Sequence, residues 1–183
     1  GFGADLGMEK FIDIKMRTMG TMPELVVLVA SIRALKLHGG VDIDDLKTEN
    51  VDALKKGVEN LEKHIESVKE FGLPYVIALN KFPTDTEDEV SYMLSWAEAN
   101  NHPISLSRVF EKGSEGGLDL AQKVIDQINR KNGNGHVLYQ TSLSIEEKLD
   151  EIAKKIYGAK EVVFTDLAKE QIETYKRMGW DKL

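Results

Sequence analysis

Tyr75-Val76-Ile77-Ala78-Leu79 runs directly into Asn80-Lys81-Phe82-Pro83-Thr84-Asp85-Thr86, and the change from apolar run to polar loop decides the fold. An unbroken apolar run with β-branched and aromatic members lacks the polar alternation of a half-exposed strand. It predicts a strand of a parallel sheet covered on both faces. Leu25 to Ala30 (LVVLVA) reads the same way, and Ile104 to Phe110 supplies a third strand. Between the first two, Val51, Leu54, Val58, Leu61, Ile65 and Val68 recur at three- and four-residue intervals until Gly72 closes the pattern. That spacing predicts a crossover helix. The expected class is α/β, a mostly parallel sheet flanked by helices.

Working outward, Thr86 and Glu89 form a capping box for a helix to about Asn100, with Val90, Met93, Leu94 and Ala97 as core positions. Another helix after Gly117 is expected to bury Leu120, Ala121, Val124 and Ile128. Arg130 to Gly135 (RKNGNG) is the sharpest polar break and carries two Asn-Gly turn signals. It divides an α/β portion, residues 1–132, from a small, mainly helical portion, residues 133–183. In the latter, Ser144 and Glu147 cap a helix with Ile145, Leu149, Ile152 and Ile156 that ends at Gly158. A short strand, Val162 to Phe164, leads to a last helix carrying Leu167, Ile172, Tyr175 and Met178. Gly1 to Asp5 reads as the middle of a loop without an initiator Met, so the chain is expected to be cut from a longer protein.

The 183 residues hold 24 Lys+Arg against 31 Asp+Glu, a net charge of -7, which repels phosphate backbones and argues against nucleic acid. There is no Cys, which excludes disulfides and thiolate metal sites. His38, His64, His102 and His136 show no metal-ligand spacing. No apolar run approaches the ~20 residues that span a bilayer. A soluble, cytoplasmic protein is expected.

Chemistry is expected where the strands end, because in open α/β sheets ligands collect beyond the carboxyl ends of strands. Asn80 offers an amide, donor and acceptor together, to the edge of a heterocycle. Lys81 offers charge to an anion, and Phe82, followed by Pro83, offers a ring for stacking. The same residues also fit a plain helix-capping loop. Phe110-Glu111-Lys112-Gly113-Ser114-Glu115-Gly116-Gly117 is a second strand end with glycines, although a structural turn explains it equally well. No Gly-Lys-Ser/Thr phosphate loop occurs in the chain. Arg33, Lys36 and His38 place cationic groups past the first strand, where solvated helix residues are the simpler reading. No catalytic residue and no protein-held metal site is assigned.

Five blocks in order, GFGADLGMEKFIDIK, VASIRALKLHGG, ALNKFPTDT, EKGSEGGLDLA and EEKLDEIAKKIYGA, resemble the formate–tetrahydrofolate ligases across nearly the whole chain. The resemblance implies an enzyme of P-loop NTPase-like fold that forms formyl phosphate from formate and magnesium-ATP and transfers the formyl group to N10 of tetrahydrofolate. It further implies activation by monovalent cations and a cytoplasmic homotetramer whose partners are small molecules, without nucleic acid or membrane. Carried onto this chain, it implies that Phe82 and Phe110 are ring plates for the substrate, with Phe110 standing where many members have Trp. Phe2 and Asn80 join them as substrate-binding residues. Asn80, Lys81, Gly113 and Gly116 border the nucleotide, and Arg33, Lys36 and His38 are neighbours of the site. The phosphate loop of the family lies in a preceding segment, so this C-terminal-half chain is expected to be inactive alone. Two other readings are a GTPase-like binding module, weakened because Asp85 follows Asn80 by five residues rather than three, and a purely structural scaffold.

Overall fold

The computed structural model describes residues 3–182. In chain order the elements are a π-turn at Gly3–Gly7, α1 (Met8–Lys10), a second π-turn at Phe11–Met16, α2 (Arg17–Met19), β1 (Val26–Ser31), α3 (Ile32–His38), α4 (Val51–Glu70), β2 (Tyr75–Asn80), α5 (Glu87–Ala99), β3 (Ile104–Ser107), α6 (Val109–Lys112), α7 (Leu118–Asn129), α8 (Ile145–Lys155) and α9 (Asp166–Arg177). They form two compact units, Pro23–Asn134 and the paired segments Gly1–Met22 and Gly135–Leu183.

The Pro23–Asn134 unit is a parallel sheet in the order β1-β2-β3, covered by helices, as the apolar runs predict. The central strand β2 is sealed, with Val76, Ile77 and Leu79 fully buried. The α4 face made by Leu54, Val58, Leu61, Ile65 and Val68 is at most 3% exposed, so the crossover helix follows its periodicity. The α3–α4 contact is close enough that a Cβ on Gly57 would collide with the Leu35 carbonyl. Glycine is required there by space rather than by backbone conformation. The Thr86–Glu89 capping box forms at the start of α5.

Three expectations are corrected in this unit. β1 lies at a sheet edge, and Val27 and Val29 are 40% and 62% exposed, so it is not covered on both faces. These residues pair with Val76 and Ala78, on the sheet face where α7 packs against β2 and β3. The helix is anchored there by Ser105 of β3, whose hydroxyl donates to Asp119 at 2.6 Å. In this position α7 turns Gln127 inward, with Leu120 and Val124 half-buried, and leaves Ala121 and Ile128 exposed. Third, β3 ends at Ser107, so Phe110 belongs to the short helix α6 and not to a strand.

In the other unit the stretch expected to start as a loop is helical from residue 3 to residue 19, widened by its π-turns. It is bound to the C-terminal stretch through Asp13, whose Oδ1 accepts the Leu138 N–H at 2.7 Å. Arg17 adds a second tie by donating to the Tyr139 carbonyl at 2.6 Å. These bonds explain why the first 22 residues cluster with Gly135–Leu183 and not with the sheet that follows them in sequence. Ile12, Met16, Leu138, Ile156 and Ile172 form the buried centre. Ser144 and Glu147 make the expected capping box. Residues 162–164, expected as a short strand, form no strand and pair with none of the described strands. Leu149, Leu167, Tyr175 and Met178 are exposed, so the C-terminal helices bury narrower stripes than their sequences suggest.

Candidate functional site

The parallel register aligns Ser31, Asn80 and Ser107 across the carboxyl ends of the three strands. This polar row forms the floor from which the candidate site rises. β2 feeds the loop of residues 80–86, and Asp85 fixes its shape: Asp85 Oδ2 accepts the Phe82 N–H at 2.7 Å, while the Asp85 N–H donates to the Phe82 carbonyl at 3.0 Å. Asp85 is 6% exposed. Burial pushes its carboxyl above the ordinary carboxylate range, against the pull of the Phe82 amide and Arg33.

Beneath the loop, Lys36 donates to Glu89 Oε1 at 2.8 Å and to the Thr48 carbonyl at 2.9 Å. Both side chains of the ion pair are fully buried. Glu89 also accepts the Asn50 and Thr86 N–H groups at 2.9 and 3.1 Å. Burial pushes the Glu89 carboxyl up, but Lys36 and the two amides outweigh it and hold the carboxyl below its ordinary value. Lys36 thus braces the loop from inside. Arg33, one turn earlier on the same side of α3, stays nearer the surface. Its guanidinium lies 4.7 Å from the centre of the Phe82 ring and donates to Thr84 Oγ1 through Nε and Nη2 at 3.2 and 2.8 Å.

The second aromatic arrives from β3. The Arg108 N–H donates to the Gly116 carbonyl at 3.0 Å, folding the GSEGG turn back over the start of α6. A Cβ on Gly116 would strike the Arg108 carbonyl, so this glycine is demanded by the turn's own packing. Gly113 takes the left-handed φ of 59° that closes α6. The result brings Phe110 within 6.0 Å of Phe82, centre to centre, with the planes tilted by 49°. Phe110 is 74% exposed, and Phe82 is half-buried. A cleft of about 360 Å³ is lined by Asn80, Lys81, Phe82, Ser107, Val109 and Phe110. Lys81 is ion-paired to Glu87 across its mouth, and the Lys81 bond holds the Glu87 carboxyl below its ordinary value.

Residues 1–183 match the sequence model of the family described as Formate--tetrahydrofolate ligase. The chain belongs to that family.

In this member of the family, the two aromatic positions singled out in the sequence share one cleft with Asn80 and Lys81. Gly113 and Gly116 shape the turn behind Phe110 and do not line the cleft. His38 lines a separate cleft of about 310 Å³ with Ser31, Asn60 and His64, which shares Asn80 and Phe82 with the first. Lys36 is committed to Glu89, and Phe2 lies outside the described residues. Ser31, Asn60, Ser107 and Val109 were not singled out from sequence, since only the strand register and the α3–α4 crossing bring them here. Among the described residues no helix is long and apolar enough to cross a membrane, and no three acidic or His side chains gather as metal ligands.

Proposed function

We propose that the Phe82–Phe110 cleft receives the heterocyclic ring of tetrahydrofolate in an ATP-dependent ligase that formylates N10 by way of formyl phosphate. The observation that carries this reading is the approach of the two rings at the carboxyl edge of the sheet. Their present tilt makes them touch each other. A ring held between them needs about 7 Å from plane to plane, two carbon–carbon contacts of roughly 3.5 Å, so the pair must open by about 1 Å and flatten. Exposed Phe110 can make that swing, whereas Phe82 is held by Arg33 on its ring and by Asp85 on its backbone. Asn80, at the base, supplies a donor and an acceptor to a ring edge.

The described residues do not fit the phosphates and magnesium of ATP. Lys81 is engaged by Glu87, Lys36 is sealed in its ion pair, and Gly116 is filled by Arg108. Clamping a transferring phosphoryl group takes loop amides, a free Lys and a metal together. We therefore place that chemistry in a segment preceding this C-terminal-half piece, and take the chain alone to bind the ring without turnover. A role for Asn80, Lys81, Gly113 and Gly116 at the border of the nucleotide, away from its phosphates, is proposed on the family likeness alone, and for Lys81 it requires leaving Glu87. Cytoplasmic residence, a homotetramer and activation by monovalent cations are proposed for the full enzyme on the family likeness alone. The GTPase-like alternative is less well supported, because Asp85 follows Asn80 by five residues rather than three and is buried, with Oδ2 on the Phe82 amide.

The test is a parallel titration of the chain with tetrahydrofolate, ATP and GTP, beside a formylation assay of the chain alone and extended upstream. Binding of tetrahydrofolate without turnover by the short chain is expected. Turnover by the short chain at the rate of the extended one, or binding of GTP alone, overturns the reading.

A further inference from the structure

Glu9 and Asp13 stand one helical turn apart and are 7% and 2% exposed. The ring cleft uses neither of them. Asp13 Oδ1 accepts the Leu138 N–H at 2.7 Å, and Arg17 lies 3.6 Å from the same oxygen. Arg17 also donates to the Asp13 and Tyr139 carbonyls at 2.6 Å each and lies 4.8 Å from the centre of the Tyr139 ring. These bonds hold residues 138–139 against the N-terminal helical stretch. Asp13 Oδ2, in contrast, is buried and receives no hydrogen bond from any fixed donor.

A buried acceptor without a donor is destabilising, and Glu9, itself buried and one turn earlier on the same helical stretch, is the carboxyl placed to supply one. Two ionised carboxylates at such a site repel, whereas one proton between them turns the repulsion into a donor–acceptor pair. The surroundings favour that proton. Near the pair lie the phenols of Tyr139, beside both carboxyls, and of Tyr157, beside Glu9 and Asp5; desolvation and these charges shift both phenols up. Arg17 and His136 act on the Asp13 side, and among the described residues the cation that bears on Glu9 is Lys10, from its own turn.

We propose that Glu9 and Asp13 share one proton, with Glu9 as donor to Asp13 Oδ2, and that this pair is a pH-sensitive latch fastening the 138–139 stretch to the N-terminal helical segment. On deprotonation the proton leaves the Glu9 carboxyl for solvent. Asp13 then keeps the Leu138 amide but gains a like charge at its second oxygen. Burial, then the Asp13 charge and the Asp13 hydrogen bond, push the Glu9 carboxyl from 4.5 to about 7. A raised carboxyl binds its proton more tightly in the closed state. The latch is therefore strongest below about pH 4.5, weakens as pH rises towards 7 and levels off above. With those two values its opening equilibrium rises about tenfold between pH 6 and pH 8.

The experiment follows the Glu9 carboxyl by carbon-13 NMR and the Leu138 amide by its hydrogen-exchange protection factor, in the full 183-residue chain and in Glu9→Gln. Expected are a Glu9 midpoint near 7, a Leu138 protection factor that falls about tenfold from pH 6 to pH 8, and a flat profile in Glu9→Gln, whose amide replaces the shared proton. A Glu9 midpoint near 4.5 overturns the proposal. So does a Leu138 profile that stays pH-dependent in Glu9→Gln, since a group other than Glu9 would then control it. If the variant does not fold, the wild-type midpoint decides alone.

Discussion

Phe110 is 74% exposed, while Phe82 is half-buried beneath Arg33, so removing the two rings should cost the fold unequal amounts. Phe110→Ala should leave stability within about 0.5 kcal/mol, as for other surface truncations, whereas Phe82→Ala should lose roughly 1–2 kcal/mol in urea unfolding. Both should weaken tetrahydrofolate binding by about fivefold or more, because stacking is worth about 1 kcal/mol per ring beyond buried area; calorimetric titration measures it. Equal effects on stability and none on binding would make the rings mere packing. Lys36→Met should be far more damaging, about 3–5 kcal/mol, since it strands a buried Glu89 charge. The double variant Lys36→Met/Glu89→Leu should recover part of that loss. That Phe82, Phe110 and Asn80 border one cleft was legible from residue chemistry joined to the family likeness. The split of duties between Arg33 and Lys36, three positions apart, was not: periodicity alone does not say which cation turns towards the ring and which towards the interior.

The α3–α4 contact places both of those cations, and it rests on Gly57. Gly57→Ala pushes a methyl into the Leu35 carbonyl, so a loss of about 2 kcal/mol or more is expected from overpacking, read as a lowered unfolding midpoint. An unchanged midpoint would show that the helices are not so closely seated. Thr86→Ala removes one arm of the α5 capping box and should cost about 1 kcal/mol. The sheet strands, α4 and both capping boxes were legible because each is a local pattern with one physical reading. The open face of β1, the partial burial of α7 and the helical start of the chain were not. An apolar run looks the same whether a neighbour covers it or not, and Gly3, Gly7 and the charged Glu9 and Asp13 hide a helix held by tertiary bonds from far along the chain.

At the scale of the whole molecule, Glu89 in one unit and Glu9 in the other should answer pH in opposite senses. Glu89, in the sheet unit, sits below its ordinary value of 4.5. Its stability is present above that value and is lost as pH falls through the lower, folded one. Glu9, in the other unit, loses its contribution as pH rises from 4.5 towards 7. Hydrogen exchange resolved by residue should therefore show Ile77 and Leu79 weakening in acid and Leu138 weakening towards neutrality. A common profile for all three would contradict separate electrostatic control. The break at residues 130–135 lies beside the border that the contacts draw at Asn134, yet the return of the first 22 residues to the C-terminal stretch depends on the Asp13 and Arg17 bonds, which no local pattern announces.

The claim that one slot grips the folate ring is tested most directly by nuclear Overhauser contacts in the chain saturated with tetrahydrofolate. Contacts from the pterin protons to the ring protons of both Phe82 and Phe110 are the result this structure predicts. A bound ligand whose pterin contacts neither ring contradicts it.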